Sequence, residues 1–254
     1  MIAGGTDVYP SFQQGQTPPS FLDVTRISGL RDITQNDEGI RIGAAATRTD
    51  VICADLPPAF VALKQAAREV GSVQIQNAGT IAGNLCNASP AADGVPPLLA
   101  QDASVELESK NRGPRQMPLS EFIIGVRDTL LADDELMTAI LIPNPPVEMK
   151  SAFEKLGSRR YLVISITMTA ALVSCDNTGK ITEARIAVGA CSPVAQRLPD
   201  LETSLLGQSP ETVTIDPAHL SRLTPIDDVR GSMDVRFDVV SVQIARAIKR
   251  AGQA

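Results

Sequence analysis

The chain has 254 residues, of which 43% are hydrophobic and 20% charged. These values are typical of a globular protein with one large or two medium domains, long enough to bury a sizeable core. Lys and Arg number 23 against 29 Asp and Glu, so the formal net charge is -6. This balance argues against a nucleic-acid or anionic-membrane surface, because both require clustered positive charge.

Cysteine and histidine usage argues against a metal centre. The four cysteines are far apart and form no C-x-x-C pair: Cys53, Cys86, Cys175 and Cys191. We expect reduced, mostly buried thiols in a cytoplasmic protein. His219 is the only histidine, and we expect it on a helix surface. The longest apolar run, 161–173, is too short to span a bilayer, and no secretory signal is visible.

The first predicted elements form a small α+β unit. Met1-Ile2 has the pattern of the end of a strand that leads into the turn 3–7, and a short helix is predicted over 8–14. Tight connections separate the strands that follow, which are predicted over 21–24, 30–34 and 40–44.

The next segment alternates short helices and strands. Thr49 is predicted to cap a helix over 50–54. A second helix is predicted from Pro57-Pro58 to Gly71, because its apolar residues recur at spacings of three and four. Further on, short helices are predicted over 98–100 and 119–123, and strands over 104–108 and 135–142.

Residues 143–146 contain three prolines in four positions and predict a linker, since proline continues neither a helix nor a strand ladder. We therefore expect one domain over 1–145, with subdomains of about 1–45 and 46–145, and a second over 146–254. The second domain is predicted to hold an antiparallel sheet with helices on one face. Its strands are predicted over 151–156, 164–174 and 181–190, and its helices over 195–206 and 235–250.

The stretch 76–93 has an unusual composition, with two glycines among short polar side chains. It has too few charges and too little apolar periodicity for an ordinary helix or strand. Glycine leaves backbone amides uncovered, so successive N–H groups can converge on an anion. A second segment of this kind, Ala3-Gly4-Gly5-Thr6-Asp7, lies at the start. Either segment alone could also be a tight turn without a ligand.

Together, the segment 3–7 and the segment Gly79-Thr80-Ile81-Ala82-Gly83-Asn84, which leads into 88–93, resemble the paired FAD-binding loops of one protein family. This family is the flavoprotein (medium) subunit of molybdenum hydroxylases, which include xanthine dehydrogenase, aldehyde oxidase and aerobic carbon monoxide dehydrogenases. Softer matches over 153–160, 188–194 and 228–232 extend the resemblance to nearly the whole chain.

The resemblance implies a fold, a cofactor and a set of binding residues. The fold is α+β, a two-subdomain FAD-binding unit of the vanillyl-alcohol-oxidase-like type followed by the antiparallel domain. The implied FAD-binding residues are Ala3, Gly4, Gly5, Thr6, Asp7, Gly79, Thr80, Ile81, Ala82, Gly83, Asn84, Ser89, Asp93 and Lys155. No catalytic or metal-binding residue is expected.

Physical reasoning assigns roles within this set. The amides of 4–7 and 80–84 are suited to the FAD diphosphate, with the dipole of the helix after Asp7 assisting. Asn84, Ser89 and Asp93 are suited to the ribityl and ribose hydroxyls, and the resemblance implies that Lys155 stabilises the anionic reduced flavin.

The sequence departs from the family pattern at three places. The family normally has a β-α-β segment of a few dozen residues ahead of the first loop, and we expect its strands to be missing beside Met1-Ile2. The usual glycine pair of the second loop is Ala82-Gly83, which requires negative φ at Ala82. A Tyr-Arg pair near the C-terminus is replaced by Val235-Arg236.

As the resemblance implies, the chain is an electron-transfer subunit. Its FAD collects electrons from the iron-sulfur clusters of a small partner, fed by a large molybdopterin-binding partner, and delivers them to NAD, oxygen or a quinone. One alternative is a flavin-free structural subunit of the same complex. Another is a nucleotide-binding enzyme that uses the glycine loops for a different phosphate, but no G-x-x-x-x-G-K-[ST] motif is present.

Overall fold

A computed structural model describes residues 1–13, 16, 20–160 and 162–253. The strands are β1 (Ile33–Asn36), β2 (Gly39–Gly43), β3 (Ser104–Ser109), β4 (Gly113–Pro118), β5 (Ile123–Gly125), β6 (Asp128–Thr129), β7 (Glu135–Ile142), β8 (Lys150–Leu156), β9 (Thr167–Cys175), β10 (Ile181–Gly189) and β11 (Gln196–Arg197). The α-helices are α1 (Arg48–Cys53), α2 (Val61–Glu69), α3 (Val73–Ala78), α4 (Ile81–Asn87), α5 (Val95–Ala100), α6 (Leu119–Phe122), α7 (Pro199–Ser204) and α8 (Met233–Gln253).

The N-terminal half is built on a five-stranded antiparallel sheet in the order β1-β2-β7-β3-β4. Alternate residues of its central strands, such as Ile40, Val105 and Ile140, are fully buried and share one hydrophobic core with α2, α4 and α5. The predicted strands 40–44, 104–108 and 135–142 are confirmed. Strand β4 was not predicted, because most of its residues are exposed and show no apolar alternation.

The C-terminal half contains a four-stranded antiparallel sheet in the order β11-β10-β9-β8. The predicted antiparallel sheet is confirmed, and β11 is a strand that was not predicted. Residues such as Ala171 and Val173 on one face of β9 pack with α7 and α8. Residues such as Ala170 and Leu172 on the other face belong to the core shared with α2 and α5. The linker 143–146 carries no helix or strand, yet the hydrophobic core is continuous across it.

Several predicted elements near the N-terminus are wrong in detail. Residues 21–24 form no strand, and only Asp23 pairs, in parallel, with Ile2. The helix after Asp7 is a 3-10 turn over Tyr9–Ser11, and Gln14 lies outside the described residues. The cap of α1 is Thr47, not Thr49, because Thr47 and Asp50 form a reciprocal capping box.

Other corrections concern the C-terminal half and the isolated cysteines. Residues 196–197 are a strand, so α7 is shorter than the predicted helix 195–206. The prediction of mostly buried thiols is wrong, since Cys191 is the buried one, whereas Cys53 is exposed. His219 lies half-buried in a 3-10 turn over Pro217–Leu220. Across the described residues, no helix is both long and apolar enough to cross a membrane.

The stretch 76–93 is largely helical, which contradicts the prediction from its composition. Helices α3 and α4 are separated by Gly79 and Thr80, and the Thr80 hydroxyl caps α4 by accepting from the amide of Gly83 at 3.0 Å. Such short helices are held by caps and tertiary contacts instead of by a long amphipathic face, so hydrophobic periodicity does not reveal them. The helix α4 ends at Asn87, and Ala88 caps it in a left-handed conformation with φ of 45°.

Candidate cofactor-binding site

A cavity of about 820 Å³ lies between the first loop (3–7) and the second loop, which comprises Gly79, Thr80 and α4. Of the residues predicted to bind the cofactor, all except Ile81 and Lys155 line it. The tertiary structure therefore brings the two loops, separated by more than seventy positions in the sequence, to one site. Its volume is within the range typical of ligand pockets.

The first loop is pressed against the end of α3. A Cβ atom on Gly4 would lie 1.8 Å from the carbonyl oxygen of Ala78, so only glycine allows this approach. Gly5 has a φ of 66°, which glycine adopts without strain. The amides of residues 4–7 make no hydrogen bond to any described part of the chain. Four successive N–H donors thus remain available at the cavity.

More groups of the second loop are engaged in contacts within the protein than groups of the first loop. The Ile81 amide donates to the carbonyl of Ala46 at 3.0 Å, and the Ile81 side chain is buried in the core. The side-chain oxygen of Asn84 accepts from the amide of Gly94 at 3.2 Å. Ala82 lies inside α4, where φ is negative, as its place in the glycine pair requires. Ile81 is consequently a packing residue in this structure.

Asp93 and Lys155 form a buried ion pair, with Lys155 Nζ 2.8 Å from Asp93 Oδ2. The hydroxyl of Ser165 donates to the other carboxylate oxygen, and Lys155 also donates to the carbonyl of Glu69. Burial raises the pKa of Asp93, whereas Lys155, Ser165 and Arg48 oppose that rise. Asp93 borders the main cavity, but Lys155 lines a neighbouring groove of about 470 Å³.

Two arginines at the cavity were not predicted. Arg48, at the start of α1, is 6% exposed and lines the cavity. Arg127, from the β5–β6 hairpin, pairs with Asp7 at 2.5 Å and also donates to Asn87. Neither lies in a glycine-rich segment, so sequence patterns gave no signal for them. The tertiary structure therefore adds two cations to the residues that line the cavity.

The chain matches two family models. Residues 1–145 match the FAD binding domain in molybdopterin dehydrogenase. Residues 151–251 match the CO dehydrogenase flavoprotein C-terminal domain.

Curated relatives and solved structures agree with these matches. The nicotinate dehydrogenase FAD-subunit of Eubacterium barkeri is 36% identical over 250 residues, covering 96% of this chain and 84% of that protein. The xanthine dehydrogenase FAD-binding subunit of Escherichia coli O157:H7 is 30% identical over 258 residues, covering 99% and 88%. A carbon monoxide dehydrogenase structure from Hydrogenophaga pseudoflava superposes with a TM-score of 0.86 at 27% identity, covering 98% of this chain and 88% of that one.

The glycine loops, the cavity that they border and these matches agree with the fold and the family that the sequence resembles. The chain belongs to the family of FAD-binding subunits of molybdopterin dehydrogenases, with FAD as its cofactor, and is thus a component of an oxidoreductase.

Proposed function

We propose that the chain holds FAD in the cavity between the two loops and serves as an electron-transfer subunit. It would receive electrons from iron-sulfur clusters of a partner and pass them to NAD or another acceptor. When bound, FAD would supply reversible electron transfer. The observation that carries the proposal is the run of four amides at residues 4–7 that have no hydrogen-bond partner among the described residues and belong to residues that line the cavity.

The proposed roles of individual residues follow from their hydrogen bonds. The amides of Gly4, Gly5, Thr6 and Asp7 would donate to the diphosphate, as in other anion-binding loops. The remaining residues that line the cavity and that we propose for the cofactor are Ala3, Gly79, Thr80, Ala82, Gly83, Asn84, Ser89 and Asp93.

Lys155 retains a proposed role through Asp93. The ion pair fixes the carboxylate that borders the cavity, so Asp93 stays available there as an acceptor for a ribose or ribityl hydroxyl. Ile81 supports the site by packing, since its amide and its side chain are both engaged within the protein.

The charged lining of the neighbouring groove is our reason for proposing an anionic acceptor such as NAD. Arg68, Arg159 and Arg250 line it together with Lys155, and only Val163 borders both the groove and the main cavity among the residues described. Lys155 and Arg250 are paired with carboxylates, whereas Arg159 donates to the carbonyl of Leu162. The excess of guanidinium groups would favour the phosphates of a dinucleotide.

We further propose a large molybdopterin-binding partner and a small iron-sulfur partner. The support is that several relatives are named as parts of larger assemblies, among them a carbon monoxide dehydrogenase medium chain and a subunit of the 6-hydroxypseudooxynicotine dehydrogenase complex. We also propose that the FAD-binding domain ends at residue 145 and that the C-terminal domain begins at 146.

Titration of the purified chain with FAD tests the proposal. Flavin absorbance is expected to co-elute with the protein, and flavin fluorescence is expected to change on binding. The control is a Gly125→Ala variant, because an added Cβ there would meet its nearest atom at 3.4 Å, an ordinary contact, and Gly125 does not line the cavity. Failure of FAD to co-elute with a folded chain would contradict the proposal and favour a structural subunit.

Reduction by partners is a separate measurement. The chain is co-expressed with a molybdopterin-binding and an iron-sulfur subunit, and bleaching of the flavin is followed after substrate is added. Bleaching with the complete complex and not with the isolated chain is the expected result. Equal bleaching without the iron-sulfur subunit would contradict the proposed electron path.

A further inference from the structure

Arg48 occupies an electrostatically unfavourable position. It is the first residue of α1, where the helix dipole disfavours a positive charge, and it is 6% exposed. No carboxylate in the described chain lies within ion-pair distance of its guanidinium. A buried cation without an anion is costly, which is reflected in a pKa lowered by burial to about 10. Its side chain therefore calls for an explanation beyond the fold.

The guanidinium is anchored by a single hydrogen bond. Nη1 donates to the carbonyl of Thr80 at 3.2 Å, and the group has five N–H donors in all. The other donors have no acceptor within the described residues. Because Arg48 lines the cavity, these donors are available to a ligand there.

The guanidinium of Arg48 lies where the two loops meet. A Cβ atom placed on Gly79 would lie 3.1 Å from Arg48 Nη1 and 3.4 Å from the hydroxyl of Thr6. Arg48 thus lies beside Gly79 of the second loop and close to Thr6 of the first. The amides of residues 4–7, which have no partner within the described chain, belong to residues that line the same cavity.

No carboxylate of the described residues is free to pair with Arg48. Asp93 is the carboxylate whose charge acts on it most, but Asp93 is already engaged by Lys155 and by Ser165. An anion supplied by the ligand would complete the site. In FAD that anion is the diphosphate, whose oxygens accept charge-assisted hydrogen bonds from a guanidinium.

We propose that Arg48 is a cofactor-binding residue that donates hydrogen bonds to the diphosphate of bound FAD, an assignment that rests on the proposed FAD site. The buried cation and the amides of the first loop would then hold the same anionic group from two sides. In the absence of ligand the cation destabilises the fold, and binding relieves that effect.

The test compares Arg48→Met, a neutral side chain of similar length, with Arg31→Met. Arg31 is the matched control, because it is exposed, lies outside the cavity and pairs with Asp50 of α1, the helix that begins at Arg48. FAD affinity is measured by flavin fluorescence, and the apo protein's unfolding midpoint is measured in urea. We expect Arg48→Met to weaken FAD binding by about tenfold to about a hundredfold, with no loss of apo stability. Arg31→Met should change the affinity less than about twofold.

Two outcomes would overturn the assignment. One is FAD affinity of Arg48→Met within twofold of the unmodified chain. The other is a combination of two results: Arg48→Met has a lowered apo unfolding midpoint, and Arg48→Lys binds FAD no better than Arg48→Met. The positive charge of residue 48 would then have no role in FAD binding. An FAD affinity of Arg48→Lys between that of Arg48→Met and that of the unmodified chain supports the assignment. Loss of FAD binding by the unmodified chain itself would instead contradict the proposed function.

Discussion

Lys155 of β8 and Asp93 of the loop before α5 join the two halves of the chain by an ion pair of 2.8 Å. Their side chains are 6% and 7% exposed. Both partners have further hydrogen bonds, from Ser165 to Asp93 and from Lys155 to the carbonyl of Glu69. Asp93 borders the main cavity and Lys155 lines the neighbouring groove, so loss of the pair should affect both stability and the site.

The Lys155→Met variant should be strongly destabilised. Removing one partner of a buried pair leaves an uncompensated carboxylate, and the free energy of unfolding should fall by about 3 to 5 kcal/mol. The measurement is equilibrium unfolding in urea. The matched control is Lys249→Met, whose exposed pair with Glu211 should contribute less than about 1 kcal/mol.

A combined Lys155→Met, Asp93→Leu variant distinguishes a lost charge from lost packing. Because no charge is left unpaired, it should recover part of the stability lost in Lys155→Met. A combined variant less stable than Lys155→Met alone would contradict this interpretation.

Gly4→Ala should weaken FAD binding by separating the two loops. The added methyl group would overlap the carbonyl of Ala78, and relief of such overpacking typically costs about 1 to 3 kcal/mol. Because FAD binding needs the two loops close together, this cost should lower the FAD affinity by roughly tenfold or more. Isothermal titration with FAD provides the measurement.

Gly125→Ala is the control for Gly4→Ala. Gly125 lies in β5, and the nearest atom to an added Cβ would be 3.4 Å away, an ordinary contact. It should bind FAD as the unmodified chain does. Equal affinity of Gly4→Ala and Gly125→Ala would show that close approach of the loops is unnecessary.

Arg236→Met should destabilise the C-terminal half. Arg236 is 1% exposed, pairs with Asp228 at 2.7 Å and donates to the carbonyls of Ile166 and Ala190. Its removal leaves these acceptors unpaired, and we expect a loss of about 3 to 5 kcal/mol in the free energy of unfolding. Urea unfolding followed by circular dichroism measures it.

Arg230 supplies an internal comparison for Arg236. It pairs with the same carboxylate, that of Asp228, at 3.1 Å but is 39% exposed, so Arg230→Met should cost less than about 1 kcal/mol. Similar losses for the two variants would argue that Asp228, and not the burial of Arg236, determines the effect.

Glu135 should contribute stability that depends on pH. Arg115 holds it with two hydrogen bonds of 2.7 and 2.8 Å and lowers its pKa from 4.5 to about 2. The folded-state pKa is below the unfolded value, so the contribution is complete above pH 4.5 and is lost as the pH falls through about 2.

The measurement for Glu135 is the difference in unfolding free energy between the unmodified chain and Glu135→Gln. This difference should be largest near neutral pH and should shrink as the pH is lowered to about 2. A difference that is constant over that range would show that hydrogen bonding alone, without charge, is responsible.

The strands of both sheets were largely predictable from the sequence, because the alternation of Val105 and Leu107 with polar neighbours in 104–108 matches a half-buried strand directly. The short helices α3 and α4 were not predictable. Their six and seven residues are stabilised by the cap at Thr80 and by contacts with distant segments, neither of which produces a periodic apolar pattern. Strand β4 escaped prediction for a related reason, since its partner β3 determines its conformation.

The amino-acid sequence by itself determined the family and the cofactor, and the positive φ of Gly5 is a local reason for glycine in the first loop. Glycine at Gly4 is required by the tertiary approach to the carbonyl of Ala78. Only the tertiary structure decided which charges lie at the cavity. Arg48 and Asp93 are separated by 45 positions, and Lys155 is a further 62 away, so their proximity depends on how the two sheets pack. Burial makes Lys155 and Asp93 a desolvated ion pair and leaves Arg48 as a cation with no carboxylate within ion-pair distance among the described residues.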